Sequence, residues 1–163
     1  MGKRIDPANL PEIIGTLYPP PFDKPCRARG RKKLGDAAGL TQFGVNLLRL
    51  PSGAWSGQRH WHQEQDEFVY VVSGEVVLVT DAGEEVLKEG ECAGFKAGDR
   101  NGHHLQNRGQ QNVLVLEIGT RTKTDYCEYP NIDLASDKCS GAMYQHKDGT
   151  PYPDLKRRGP DDP

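Results

Sequence analysis

The chain has no hydrophobic run approaching the roughly 18 residues that a membrane-spanning helix requires, and its mean hydropathy is −0.73. Its first residues, MGKRIDPANLPEII, have no apolar centre of the kind that directs secretion. The expectation is a cytoplasmic protein with no membrane association. Its four cysteines (Cys26, Cys92, Cys127 and Cys139) include no C-x-x-C pair, which excludes a zinc ribbon or a thioredoxin-type site and leaves the expectation of reduced thiols. Excess charge of one sign is also missing. Lys+Arg at 21 against Asp+Glu at 23 gives a net charge of −2, so no global field favours nucleic acid or an anionic membrane. A small-molecule ligand is the better expectation. The one basic concentration, RARGRKK at residues 27–33, could bind phosphate or RNA, but no aromatic side chain interleaves it for base stacking, and it reads as a solvated basic loop.

At 163 residues one hydrophobic core is expected. The 19 glycines and 12 prolines favour short elements joined by tight turns over long helices. Residues 1–41 carry Pro7, Pro11, Pro19, Pro20, Pro21 and Pro25 and are expected to form an extended arm lying on the rest of the protein, with neither a helix nor a central strand. Residues 42–122 hold about eight strand-length runs, among them QFGVNLLRL, EFVYVVSG, EVVLVTDAG and NVLVLEIGTRT, each ending in turn-forming residues. SGE at 73–75 and TDAGEE at 80–85 look like hairpin turns. The fold class is therefore all-β, a sandwich or small barrel of the jelly-roll kind. Residues 123–163 read as an irregular extension with a late strand or turn near MYQHKDGTPY and a disordered end at RRGPDDP.

The unusual segment is RHWHQEQDEFVYVVSG, residues 59–74. Alternate side chains of a strand share a face, so His60 and His62 point together and Trp61 points away. Glu67 lies an odd number of residues past His62, and a turn or bulge across Gln63–Asp66 would reset the register so that Glu67, Val69 and Val71 face inward. A second histidine pair, His103 and His104, follows the turn KAGDRNG, and only one of the two can face inward on a regular strand. Imidazole and carboxylate donors suit a divalent first-row transition metal, not Ca²⁺ or Mg²⁺. Nothing in the residues selects among Zn, Mn, Fe and Ni. His146 stands apart and is read as a surface residue.

These residues resemble the cupin superfamily, whose first motif is His-x-His, three or four residues, Glu, six residues, Gly. His60, His62, Glu67 and Gly74 match that spacing. The second motif is matched less closely. Gly90 and Gly98 fit it, Lys96 replaces its proline, and four residues separate Gly98 from His103 where the pattern has two. His103 and Asn107 regain the spacing, and Asn107–Gly109 resembles the family's Asn-x-Gly turn. The resemblance implies a double-stranded β-helix, the jelly-roll barrel, across about residues 42–120, with His103 in preference to His104 as fourth ligand beside His60, His62 and Glu67. The whole chain looks like small single-domain bacterial cupins, some of which are named sugar phosphate isomerases.

Fold alone does not select a reaction. The first expectation is a metal-dependent isomerase or epimerase with Glu117, a carboxylate in the apolar strand VLVLEIG, as catalytic base; alternation leaves open whether Glu117 faces inward or makes an ordinary surface contact. An Fe(II) dioxygenase and a non-catalytic binding or sensor module are the alternatives. Val69, Val71, Phe95 and Leu105 are expected as pocket walls or plain core. Trp61, Phe68 and Tyr70 should alternate outward, where a homodimer would cover them. Trp55 and Cys92 are read as buried packing residues.

Overall fold

The computed structural model describes residues 2–163. In chain order its elements are β1 (Ile13–Ile14), β2 (Gly30–Lys33), α1 (Leu34–Ala38), β3 (Phe43–Leu50), β4 (Trp61–His62), β5 (Glu67–Ser73), β6 (Glu75–Thr80), β7 (Gly83–Lys88), β8 (Cys92–Phe95), β9 (His104–Gln106), β10 (Val113–Thr120), β11 (Tyr126–Glu128) and β12 (Ala135–Asp137). A six-stranded sheet runs β1-β2-β3-β10-β5-β8, a three-stranded sheet runs β7-β6-β9, and a second three-stranded sheet, β12-β11-β4, covers the histidine segment. The pairings are antiparallel throughout.

Period-two patterning places the core between the first two sheets. On β5, Val69 and Val71 are buried while Phe68, Tyr70 and Val72 are exposed, so the reset across Gln63–Asp66 occurs as the sequence suggests. Leu48, Leu50, Val71, Val76, Leu78, Leu105, Val113 and Val115 pack into one cluster, each contributing about 1.5–3 kcal/mol when fully removed from water. Asn107 organises the turn before β10: its amide donates to the carbonyls of Leu50 and Gln111, and its side-chain oxygen accepts from Gly109 N.

Several expectations are corrected. TDAGEE is a hairpin, with Thr80 opposite Gly83, but SGE is not: β5 and β6 belong to different sheets, and Gly74, at φ +83°, turns the corner between them. The proline-rich region is more than an arm. Its residues 30–33, free of proline, form β2 between β1 and β3, and α1 follows. RRGPDDP returns to the start of the chain, where Thr16 and Arg158 form a backbone bridge and Arg27 donates to the carbonyls of Asp162 and Pro163. Trp61 is buried, because β4 pairs with β11 of the C-terminal extension, whereas Phe68 and Tyr70 face outward as expected. Cys92 is exposed. Among the described residues, no helix is long and apolar enough to cross a membrane.

Candidate metal centre

The two histidine groups, 43 residues apart in sequence, are joined by their own backbones. His60 N donates to His103 O at 3.1 Å and His103 N donates to His60 O at 2.9 Å, an antiparallel bridge that fixes one ring against the other. β4 then carries His62 onto the same face as His60, with ring centroids 5.2 Å apart. Glu67, first residue of β5, brings Oε2 to 3.5 Å from His60 Nε2, 3.6 Å from His62 Nε2 and 3.0 Å from His103 Nε2.

These separations suit a shared ion. Donor atoms bound at about 2.1 Å and at angles between octahedral and tetrahedral stand about 3.0–3.4 Å from one another. The outer ring nitrogens agree with that use. His60 Nδ1 lies 2.8 Å from Gln58 O and His62 Nδ1 lies 2.6 Å from Asp125 Oδ2, so each Nδ1–H donates outward and each Nε2 keeps its lone pair for the centre. His103 Nδ1 is buried without a partner, and its ring is fixed by stacking on Phe95 at 3.4 Å between centroids. His60, His62, Glu67 and His103 could hold a metal ion, and Cys127 stands at the edge of the same cluster.

His104 points elsewhere. Its Nδ1 donates to Gly57 O at 2.9 Å and its Nε2 accepts from Gln106 Nε2 at 2.9 Å, with Trp55 packed edge-on to the ring. Of the two adjacent histidines, His103 is the one the fold brings to the centre.

The electrostatics of the cluster are coupled. Burial would raise the Glu67 carboxyl, but in the metal-free protein hydrogen bonds from His103 and from His60 in its protonated form outweigh it and hold the group well below the usual carboxylate range. Burial disfavours the charged form of His60, yet its bond to Glu67 raises it overall; for His103 burial prevails and lowers it. Burial brings His104 down to about 4, so that ring is neutral at physiological pH.

The C-terminal extension supplies groups that the sequence reading passed over. Asp125, Cys127 and Tyr129 alternate along β11 and its flanks. Asp125 accepts from His62 and from Glu64 N, Cys127 is buried opposite His62 in the strand register, and the Tyr129 ring lies 5.6 Å from that of His60. The period-two pattern in DYCEY was a signal of one shared face, though its target lay outside the motif.

The cluster opens into a cavity of about 410 Å³ bounded by the inner face of the large sheet. Val69, Phe95 and Leu105 line it as expected, whereas Val71 lies wholly in the core. Glu117 faces this cavity and is held by Arg31 through two bonds, Nε to Oε2 at 2.6 Å and Nη2 to Oε1 at 2.7 Å. The surface-contact alternative for Glu117 is thereby removed. The stretch RARGRKK is no solvated loop: Arg29 is buried, and Arg29, Arg31 and Lys33 all line the cavity. A second cavity of about 330 Å³, bordered by Trp61, His62, Lys96 and Asn101, meets Glu67 and His103 from the other side.

Residues 46–119 match the model of the cupin domain. The solved structure of a sugar phosphate isomerase from a cupin superfamily, from Silicibacter pomeroyi, is 44% identical, with a TM-score of 0.87, covering 92% of this chain and 96% of that one. A candidate sugar phosphate isomerase from Acidithiobacillus ferrooxidans is 29% identical, with a TM-score of 0.68, covering 79% of this chain and 78% of that one. A polyketide cyclase from Streptomyces resistomycificus, 21% identical with a TM-score of 0.59 over 74% of this chain and 80% of its own, shares the fold. A comparison with curated proteins gives no match. Identity and coverage at this level, on a chain whose two histidine motifs converge inside a jelly roll, show that the protein belongs to the cupin superfamily.

Proposed function

We propose that the protein is an isomerase of a small phosphorylated sugar, dependent on a divalent transition metal held by His60, His62, Glu67 and His103. The observation that carries this reading is the opening of that donor cluster into a cavity lined by four cationic side chains and, outside the cluster, one carboxylate among the described residues. The 44% identical cupin described as a sugar phosphate isomerase supports it.

Aldose–ketose interconversion moves a proton between adjacent carbons, one bearing a carbonyl and the other a hydroxyl. A bound divalent ion would supply Lewis-acid polarisation of those oxygens. The proton needs a carrier beside the two carbons, and we assign that role to Glu117, the carboxylate on the cavity wall outside the donor cluster, whose orientation is held by the paired bonds from Arg31. Leu105, Val69 and Phe95 exclude water from one side of the space, which strengthens the polar contacts made there. Tyr18 and Tyr144 line the same cavity. Burial raises both phenols, so they stay protonated and can donate to a substrate oxygen.

The test is proton NMR of the metal-loaded protein with aldose and ketose phosphates in D₂O. Isomer formation with deuterium entering at the carbon next to the carbonyl, reduced about 10²–10⁴-fold in Glu117→Gln, is the expected result. Substrate-dependent oxygen uptake without isomer formation would replace this reading with the dioxygenase one. Ligand-induced stabilisation without any product would replace it with the binding module.

A further inference from the structure

The cavity has a polarity that the metal cluster does not explain. β2 contributes a row at period two, Arg31 and Lys33, continued by Arg29 just before the strand. Arg31 is in register with Leu48 and Lys33 with Asn46, both on the inner face of β3, so the row points into the fold. Arg121, just past β10, lies over Gly44, where an added Cβ would stand 3.4 Å from its Nε. Against these four cations the cavity wall sets Glu67 and Glu117, and at the rim Asp36 pairs with both Lys33 and Arg121.

Part of this charge is without a partner. Arg29 is 7% exposed; its Nη1 and Nη2 donate to the Ser56 carbonyl and to Thr16 Oγ1, and its Nε alone has no hydrogen-bond partner. Arg31 spends Nε and Nη2 on Glu117 and the Ser56 carbonyl, which leaves its Nη1 available among the described residues. Lys33 has one distant ion pair, 3.6 Å to Asp36. A buried guanidinium nitrogen with no acceptor is costly unless a ligand satisfies it.

We infer that this end of the cavity is a phosphate subsite, formed by Arg31 and Lys33 with Arg29 behind them and Arg121 at the rim, and that it recognises the phosphate monoester of the substrate. The inference deepens the isomerase reading and rests on it for the sugar. β2 and β5 are three strand spacings apart in the sheet order β2-β3-β10-β5, about 14 Å. The long side chains of β2 reach inward from one side and the donor cluster on Glu67 from the other. The gap left suits a sugar of a few carbons with its phosphate at the arginines and its carbonyl end at the metal ligands. Glu117, between the two, has its base position over the reacting carbons, and Gly44 and Gly119, aligned across β3 and β10, leave the floor clear.

The experiment is calorimetric titration of the metal-stripped protein with inorganic phosphate, ribose 5-phosphate and ribose, in wild type, Lys33→Ala and the double variant Arg31→Gln with Glu117→Gln. The double variant removes the ion pair without leaving a lone charge inside. Phosphate and ribose 5-phosphate should bind wild type and lose about tenfold or more in each variant, while ribose is unaffected by Lys33→Ala. Lys33 is exposed enough that its replacement leaves folding intact, so the result stands even if the double variant misfolds. No phosphate binding by wild type, or unchanged affinity in Lys33→Ala and in a folded double variant, would overturn the subsite. Phosphate binding without any isomer formed by the metal-loaded protein would instead overturn the isomerase reading and leave the subsite standing.

Discussion

Asp125 Oδ2 lies 2.6 Å from His62 Nδ1, a carboxylate from the C-terminal extension orienting a histidine of the first motif. Asp125 is buried and its other oxygen accepts from Glu64 N, so the carboxylate has little freedom to release the ring. Such an outer partner fixes the tautomer and raises the basicity of the ligating nitrogen.

Asp125→Asn should therefore weaken metal binding by about 10–100-fold without unfolding the protein. Competition against a chelator of known affinity measures this. Undiminished affinity would show that the extension merely covers the site.

Replacing His60 and His62 together by Ala should reduce the metal content from about one equivalent to none. The barrel core does not include either ring, and the far-ultraviolet spectrum should be unchanged. Elemental analysis of tag-free protein reads the outcome, and full occupancy in the double variant would sink the ligand assignment.

Acid should weaken the metal-free fold well before its carboxylates are neutralised. His104 has its folded value lowered from 6.5 to about 4 by burial, so between those values the unfolded chain binds a proton that the folded chain refuses. Stability from this group is complete above pH 6.5 and falls as pH drops towards 4, by on the order of 2–3 kcal/mol. The depressed carboxyl of Glu67 extends the loss to lower pH, below its ordinary 4.5. His60, raised by Glu67, acts in the opposite sense, its contribution being lost as pH rises above its raised value. Urea unfolding at pH 7 and pH 4.5 should show a smaller difference in His104→Gln than in wild type, and equal differences would refute the account.

Thiol reactivity should divide the cysteines evenly. Cys92 and Cys139 are exposed, while Cys26 and Cys127 are buried and free, and burial raises both buried thiols. An aromatic disulfide reagent should titrate two thiols rapidly in the native protein and the other two only after denaturation. A fast third thiol would mean that β11 opens readily over the metal centre.

The spacing of His60, His62, Glu67 and Gly74 made both the fold and most of the site legible, because each residue answers to a local rule. Alternation pairs the histidines, a short polar loop resets the register before Glu67, and the corner at Gly74 needs a positive φ. Alternation could not choose between His103 and His104, since either can face inward on an isolated strand, and only the family spacing favoured His103. The physical reason lies in the bridge between His60 and His103 and in the polar pocket that Gly57 and Gln106 build around His104. Trp61 and Cys92 were misread for a related reason: burial depends on what crosses over a strand, and β11 crosses over Trp61 while Cys92 stays exposed.

The sequence by itself determined the all-β jelly roll, the family and the donor set of a candidate metal centre, because periodicity and motif spacing are properties of neighbouring residues. Tertiary structure alone decided the rest. It carried RARGRKK into the sheet as β2 and so turned an apparent surface charge into a cationic cavity wall, set Arg31 against Glu117 across 86 residues, and brought Asp125 onto His62 across 63. Contacts at that separation follow from strand order and register, which emerge only when the whole hydrophobic core closes.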